Sequence, residues 1–269
     1  VLKQEREVKE SIQSLRKLKL KPHNDRPKNW DCYRALSFIL KHGNKEANIL
    51  DVGCAYYGVI LPWLELYGFS NLHGCDIAFR KDFQKGKIRY TKQDLQRTAF
   101  EPNSFDFITS ISVVEHGVAI DTYLKEMSRI LKPGGYLLTS TDYWPEPINT
   151  SGLYPYGKEL GEMKIFIRND IENLVGKAKT HGLELIEPID FSYKDKVVYS
   201  IQTIYQKIVI TRWKKYYWLY INGQEQFSTY DEEKYHEPLV HPAVKLSHDA
   251  SRVLILGGGD GLALREVLK

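Results

Sequence analysis

The chain has 269 residues, 42% of them hydrophobic and 27% charged, which supplies enough apolar material for a real core and, at ~150 residues per domain, predicts about two domains. That composition excludes a disordered, collagen-like or coiled-coil protein. Lys+Arg 38 against Asp+Glu 34 leaves a net charge of +4. The basic residues are dispersed except near the start (Arg16, Lys17, Lys19, Lys21, Arg26, Lys28), a pattern read as a solvated helix and linker rather than a nucleic-acid patch. No apolar run approaches the ~18 residues of a membrane span, and VLKQEREVKE is too charged for a signal peptide. Cys32, Cys54 and Cys75 are odd in number and share no metal-ligand spacing, which points to reduced thiols and the cytoplasm. His236 and His241 in HEPLVH lie five apart around Pro238, whereas a zinc-protease helix places its histidines four apart, so no metal is expected. The start at Val1 and the stop at Lys269 inside a predicted helix indicate a sequence that is partial at both ends.

In chain order, EREVKESIQSLRKL predicts a helix, KPHNDRPKN a break, and WDCYRALSFILKHG a second helix with Trp30, Tyr33, Leu36 and Leu40 on its apolar face. NILDVG is a short apolar run ending in Asp51 and Gly53, the pattern of a buried parallel strand that opens into a ligand loop. A helix (VILPWLELYG), strands at NLHGCD, IRYTKQD and FDFITSIS, a helix (DTYLKEMSRIL), the turn KPGG and a fifth strand YLLTST follow. This alternation predicts βαβ units and a doubly wound α/β sheet. Beyond an irregular Tyr/Pro/Gly-rich stretch at 143–161, IRNDIENLVGKAKTHG reads as a helix and LELIEPIDF as a strand. VVYSIQTIYQKIVITRW is β-rich, and YYWLYI and QEQFST flank Asn222-Gly223, a strong hairpin signal. A helix containing YHEPLVHPAV, a strand RVLILGGGDG and the start of another helix complete the chain.

A nucleotide-type cofactor in such a sheet sits at the carboxyl ends of the strands, where Gly53 lets the backbone approach it. The next strand ends in Asp76, about 25 residues after Asp51, where an acidic side chain accepts ribose hydroxyls; the alternative for Asp76 is a helix cap or a solvated loop residue.

Taken together, LDVGCAYYG, CDIA, KQDLQ, FDFITSISVVEH and RILKPGGYLLTS resemble, in order and spacing, the class I S-adenosylmethionine-dependent methyltransferases over about residues 45–190. The resemblance implies a Rossmann-like sheet that binds S-adenosylmethionine: Asp51, Gly53 and Cys54 at the methionine moiety, Asp76 and Ile77 at the ribose, Asp94 and Leu95 at the adenine, and Ser112 facing the methyl group. The family's usual glycine is replaced by Ala55, and Tyr56 and Tyr57 are expected to crowd the loop. Because the sulfonium already activates the methyl, positioning supplies much of the rate, and a base is needed only for a hydroxyl or a protonated amine. Glu115 and His116 are the candidates for that role, with a structural role in the loop as the alternative. Tyr143, Trp144, Tyr154 and Tyr156 lie where a lid over a small-molecule acceptor would fall.

From about residue 198, TIYQKIVITRW, LYINGQEQFSTYDEEKYHEPLVHPAV and RVLILGGGDGLALREVLK resemble the start of spermidine synthase, a polyamine aminopropyltransferase. The resemblance implies an N-terminal β domain that mediates oligomerisation, with Gln206 at decarboxylated S-adenosylmethionine and Tyr235, His236 and Asp260 at the polyamine. The family's later strands and catalytic aspartate would follow GGGDG, so aminopropyl transfer is not expected of this segment, and residues 250–269 are expected to pack poorly. The reading is therefore N-terminal helices (1–44), a methyltransferase domain (45–197), a β-hairpin domain (198–250) and the first strand, turn and helix of a second Rossmann-like domain (251–269), joined somewhere within 190–206 as a natural fusion or an artificial junction. A degenerate, non-enzymatic binding or oligomerisation module is the remaining alternative.

Overall fold

Five short apolar runs become the parallel strands of one sheet. In the computed structural model, which describes residues 2, 5–192, 196–213, 215–247, 252–255 and 261–269, the strands β1 (Asn48–Val52), β2 (Asn71–Cys75), β3 (Phe83–Lys85), β4 (Ile88–Thr91), β5 (Phe105–Ile111) and β6 (Leu131–Ser140) are ordered β3-β4-β2-β1-β5-β6. All pairs are parallel except the short edge pair β3–β4. The chain runs outward from β1 through β2 and then returns to the other side of β1 with β5, which creates a switch point between β1 and β5.

The pleat sends alternate side chains of β1 to opposite faces. Ile49 joins the core made with α1 (Glu5–Lys17), α2 (Lys28–His42) and α3 (Ile60–Leu66), where Leu15, Leu36, Ile39 and Leu64 are fully buried. Leu50 and Val52 join the opposite core, made with α4 (Ile120–Ile130) and α5 (Arg168–Thr180) through Tyr123, Leu124, Met127 and Leu174. Helices on both faces make the sheet doubly wound, and α1 and α2 belong to its core rather than to a separate leading domain.

Several elements differ from the sequence reading. The buried face of α2 is Cys32, Ala35, Leu36 and Ile39 with Asn29, rotated from the expected Trp30–Tyr33–Leu36–Leu40 stripe because α2 lies between the sheet and α1; Tyr33 and Leu40 border the core, and Trp30 donates its indole N–H to Glu7 on α1. The KPGG turn is a bulge inside β6: its partner register jumps from Leu131 to Tyr136 while β5 advances from Phe105 to Phe107. LELIEPIDF forms no strand. The Leu183 N–H is spent on the Ala178 carbonyl at the end of α5, with Gly182 left-handed at φ 78, Pro188 has no N–H to offer a ladder, and Leu185 and Ile186 are exposed.

The chain divides into two compact units, residues 1–194 and 195–269. The second holds an antiparallel sheet ordered β10-β9-β8-β7, formed by β7 (Lys196–Gln202), β8 (Lys207–Trp213), β9 (Tyr216–Ile221) and β10 (Gln224–Ser228). A boundary after residue 197 would cut β7, and KIVITRW is β8 of this sheet. Asn222 and Gly223 carry φ of 49° and 80° between β9 and β10, the left-handed pair that a two-residue hairpin turn requires. Residues 252–255 form no strand, and 256–260 lie outside the described residues. Helix α7 (Leu262–Val267) is better packed than expected: it lies against α6 (Glu233–Leu246) with Ala263 and Glu266 buried, His241 meeting Glu266 at 3.0 Å and Arg265 meeting Glu232 at 2.8 Å. Among the described residues no helix is long and apolar enough to cross a membrane.

Candidate active site

The β1–β5 switch point opens into a cavity of about 500 Å³, within the size range of small-molecule sites. The ends of four strands line it: Asp51 near the end of β1 with Gly53 and Cys54 after it, Asp76 and Ile77 after β2, Asp94 and Leu95 after β4, and Ser112 and Val113 after β5. All eight residues expected at an S-adenosylmethionine site thus border one space.

The loop after β1 is shaped by close approach. Gly53 is left-handed at φ 65, and a Cβ there would lie 2.6 and 2.7 Å from the Val113 methyls, so only glycine fits. Ala55 also sits in the left-handed region, at φ 50, which gives a physical reason for the family's glycine at this position. Its N–H donates to Asp76 Oδ2 at 2.8 Å, while Asp76 Oδ1 accepts the Ala78 N–H at 2.7 Å. One carboxylate therefore holds two loops, and each of its oxygens keeps a second acceptor position. Asp94 Oδ1 similarly accepts the Gln96 N–H at 2.8 Å. Asp51 is buried and takes a 2.7 Å bond from the Thr109 hydroxyl on its Oδ1; burial pushes its carboxyl up to about 7.

Tyr56 and Tyr57 do not crowd the loop. Both side chains are exposed, with Tyr56 lying against Phe79 and Phe83 and the Tyr57 hydroxyl 3.4 Å from that of Tyr156. Of the four aromatics expected as a lid, Tyr156 alone borders the cavity. Tyr143 packs on Phe191, Trp144 is buried, and Tyr154 donates its hydroxyl to Glu162.

Glu115 and His116 differ in position and state. His116 lines the cavity edge-on to Tyr156, and burial together with the nearby Lys28 charge pulls its imidazole down to about 4. Glu115 is 1% exposed and does not line the cavity; burial and the neighbouring Asp142 push its carboxyl up to about 8. Sequence reasoning missed His23, Lys28 and Cys32, which border the cavity from in and just after the stretch read as a linker, so Lys28 is a site residue rather than part of a solvated surface. Its signal was position: Lys28 opens the helix packed beside β5.

In the second unit, Gln206 closes the β7–β8 turn, with its N–H and carbonyl taken up by Thr203. Tyr235 is exposed, and His236 is buried with Nδ1 3.0 Å from the Glu232 carbonyl and 3.2 Å from its carboxylate. Asp260 lies outside the described residues.

The methyltransferase domain family matches residues 50–139, and the spermine/spermidine synthase domain family matches residues 232–269. The two matches fall on separate stretches of the chain. The polyamine aminopropyltransferase of Leptospira interrogans is 54% identical over 77 residues, which is 29% of this chain and 16% of that protein. That of Oceanobacillus iheyensis is 42% identical over 104 residues, 37% of this chain and 20% of the relative. The chain thus spans no more than about a fifth of the length of these curated relatives. Among solved structures, an S-adenosylmethionine dependent methyltransferase from Mesorhizobium loti is similar at 18% identity over 56% of this chain and 80% of its own, with a TM-score of 0.43. Phosphoethanolamine N-methyltransferase 2 of Haemonchus contortus is similar at 21% identity over 55% of this chain and 36% of its own, with a TM-score of 0.42.

Asp51 supplies a measurable signature. A carboxyl whose folded pKa is raised to about 7 from an unfolded value near ~3.9 holds its proton more tightly when folded, so its contribution to stability falls as pH rises between those values. Asp51→Asn keeps an acceptor for Thr109 and removes this liability. In urea unfolding the variant is expected to gain on the parent between pH 4 and 7, by at most about 1.4 kcal/mol per pH unit; a difference constant across that range contradicts the assignment.

Proposed function

We propose that the first unit binds S-adenosylmethionine and transfers its methyl group to a small-molecule acceptor. The observation that carries this reading is the ring of acids at successive strand ends, Asp51, Asp76 and Asp94, around one cavity at the switch point. The donor set fits the cofactor. Asp76, with an acceptor position left on each oxygen, suits the two ribose hydroxyls, and Asp51 Oδ2 lies opposite the atom engaged by Thr109 and suits the cofactor's ammonium. Asp94 and Leu95 offer an acceptor and an apolar surface to the adenine. When bound, the cofactor supplies a methyl group already activated on sulfur. The chain's own residues then position and exclude: Ser112 lies at the inner end of β5, Tyr156 and Tyr57 close one wall, and the buried surroundings keep Glu115 protonated and His116 neutral near pH 7. Of these two, His116 is the one that borders the cavity with a free ring nitrogen lone pair near pH 7, and it is the candidate base for an acceptor that must lose a proton.

The 54% identity over 77 residues favours a second reading for the other unit, as the N-terminal β module of a polyamine aminopropyltransferase, with Gln206, Tyr235, His236 and Asp260 as its ligand residues and self-association as its role. Its edge strand β7 is exposed at all seven positions, including Val197, Val198, Tyr199 and Ile201, and an exposed apolar edge invites pairing with another copy.

Two measurements test these readings. Isothermal titration with S-adenosylmethionine is expected to show one site per chain, weakened at least ten-fold by Asp76→Ala; no binding, or binding indifferent to that change, contradicts the first. Light scattering is expected to find a dimer or larger species that Tyr199→Asp dissociates, and a monomer at tens of micromolar contradicts the second.

A further inference from the structure

The amino-acid end of S-adenosylmethionine carries two charges, and the acids around the cavity answer one of them. Asp51 offers Oδ2 to the ammonium, whereas the α-carboxylate needs donors. The loop after β1 has already spent those nearest to Asp51. The Gly53 and Cys54 N–H groups both go to the Cys75 carbonyl, at 2.8 and 3.4 Å, and the Ala55 N–H goes to Asp76. At the end of β5 the Ser112 N–H goes to the Ser140 carbonyl and hydroxyl, each at 3.2 Å. A carboxylate set in this cavity without other donors would lose its water and gain nothing in exchange.

The missing donors stand at the start of α2. Among the described residues that line the cavity, Lys28 is the one Lys or Arg, and it makes no hydrogen bond or ion pair with a described residue. Asp31, Glu115 and Asp142 feel its charge only at longer range, and none of them lines the cavity. Cys32, one turn along the same face of α2, lines it too. His23 is fixed beside Lys28 by Asn29, which is fully buried: its Oδ1 accepts the His23 N–H at 2.8 Å, and its amide donates to the His23 carbonyl at 2.9 Å and the Asp25 carbonyl at 3.1 Å. His23 Nδ1 in turn accepts the Asp25 N–H at 3.0 Å, the shorter of its two contacts with Asp25. That bond leaves Nε2 as the donating nitrogen of a ring that also borders the cavity.

Building on the S-adenosylmethionine reading above, we propose that Lys28, with His23 beside it, is an anion subsite that takes the cofactor's α-carboxylate and makes the first unit select S-adenosylmethionine over its decarboxylated form. The two molecules share the adenosine, the sulfonium and the ammonium, so Asp51, Asp76 and Asp94 hold them alike. Only the carboxylate separates them, and a ligand without it leaves the Lys28 charge unanswered on the cavity wall. The selection has a use in this chain. Its second stretch resembles enzymes whose cofactor is the decarboxylated form, and Lys28 keeps that molecule from competing for the first unit's site.

Isothermal titration of the full chain with S-adenosylhomocysteine and with decarboxylated S-adenosylhomocysteine tests the subsite. The parent is expected to bind the first at least about ten-fold more tightly, the yield of one charge-assisted contact. Lys28→Met keeps an unbranched stem without the charge. It is expected to weaken S-adenosylhomocysteine by about ten-fold and the decarboxylated ligand by less than about two-fold, so that the preference collapses. Lys28→Arg is expected to keep the preference. Equal affinity of the parent for the two ligands overturns the subsite before any variant is made, and S-adenosylmethionine binding then still stands. A folded Lys28→Met chain that loses both ligands in parallel, as it would if Lys28 only shaped the cavity, or that retains the full preference, overturns it equally. Failure of the parent to bind S-adenosylhomocysteine at all overturns the cofactor reading and the subsite with it.

Discussion

The candidate site is organised by one carboxylate. Asp76 receives the N–H of Ala55 from the loop after β1 and that of Ala78 from its own loop, locking together two segments that the sheet only brings near each other. Ala55 is held left-handed while it makes that bond, and Gly53 has turned so tightly that any side chain would strike Val113. The cost is local backbone strain, of order 1–2 kcal/mol for a left-handed alanine. The result is a rim of oriented acceptors around a preformed space, which is what a ligand rich in hydroxyl and amino groups needs.

Behind that rim the acids form two populations. Asp76 and Asp94 hold backbone N–H groups, whereas burial pushes the carboxyls of Asp31 and Asp51 up to about 7 and that of Glu115 up to about 8. An unpaired ionised carboxyl is costly to bury, which is why these groups hold their protons to higher pH than exposed ones.

Much of the first unit was legible in the sequence because its signals are local. NILDVG, NLHGCD and FDFITSIS each pair an apolar run with a loop-forming end, and the acids at those ends came together as expected. Asn222-Gly223 demanded its hairpin through backbone conformation alone. What was not legible depends on packing. The face of α2 was misread because period alone cannot say which side meets the sheet when α1 covers another. LELIEPIDF has strand composition, but its first N–H was already committed to capping α5 and Pro188 interrupts the rest. His23, Lys28 and Cys32 carried no motif; only the packing of α2 beside the sheet brings them to the cavity.

The role proposed for the β1–β5 switch point of the first unit is ligand binding. Amide hydrogen exchange with and without S-adenosylhomocysteine tests it most directly. Slowed exchange confined to residues 53–58, 76–78, 94–96 and 112–117 is the predicted result, with Ala55 and Ala78 among the most protected because their N–H groups share the Asp76 carboxylate. Protection absent from those four segments, or found instead on the strands of the second unit, would contradict it.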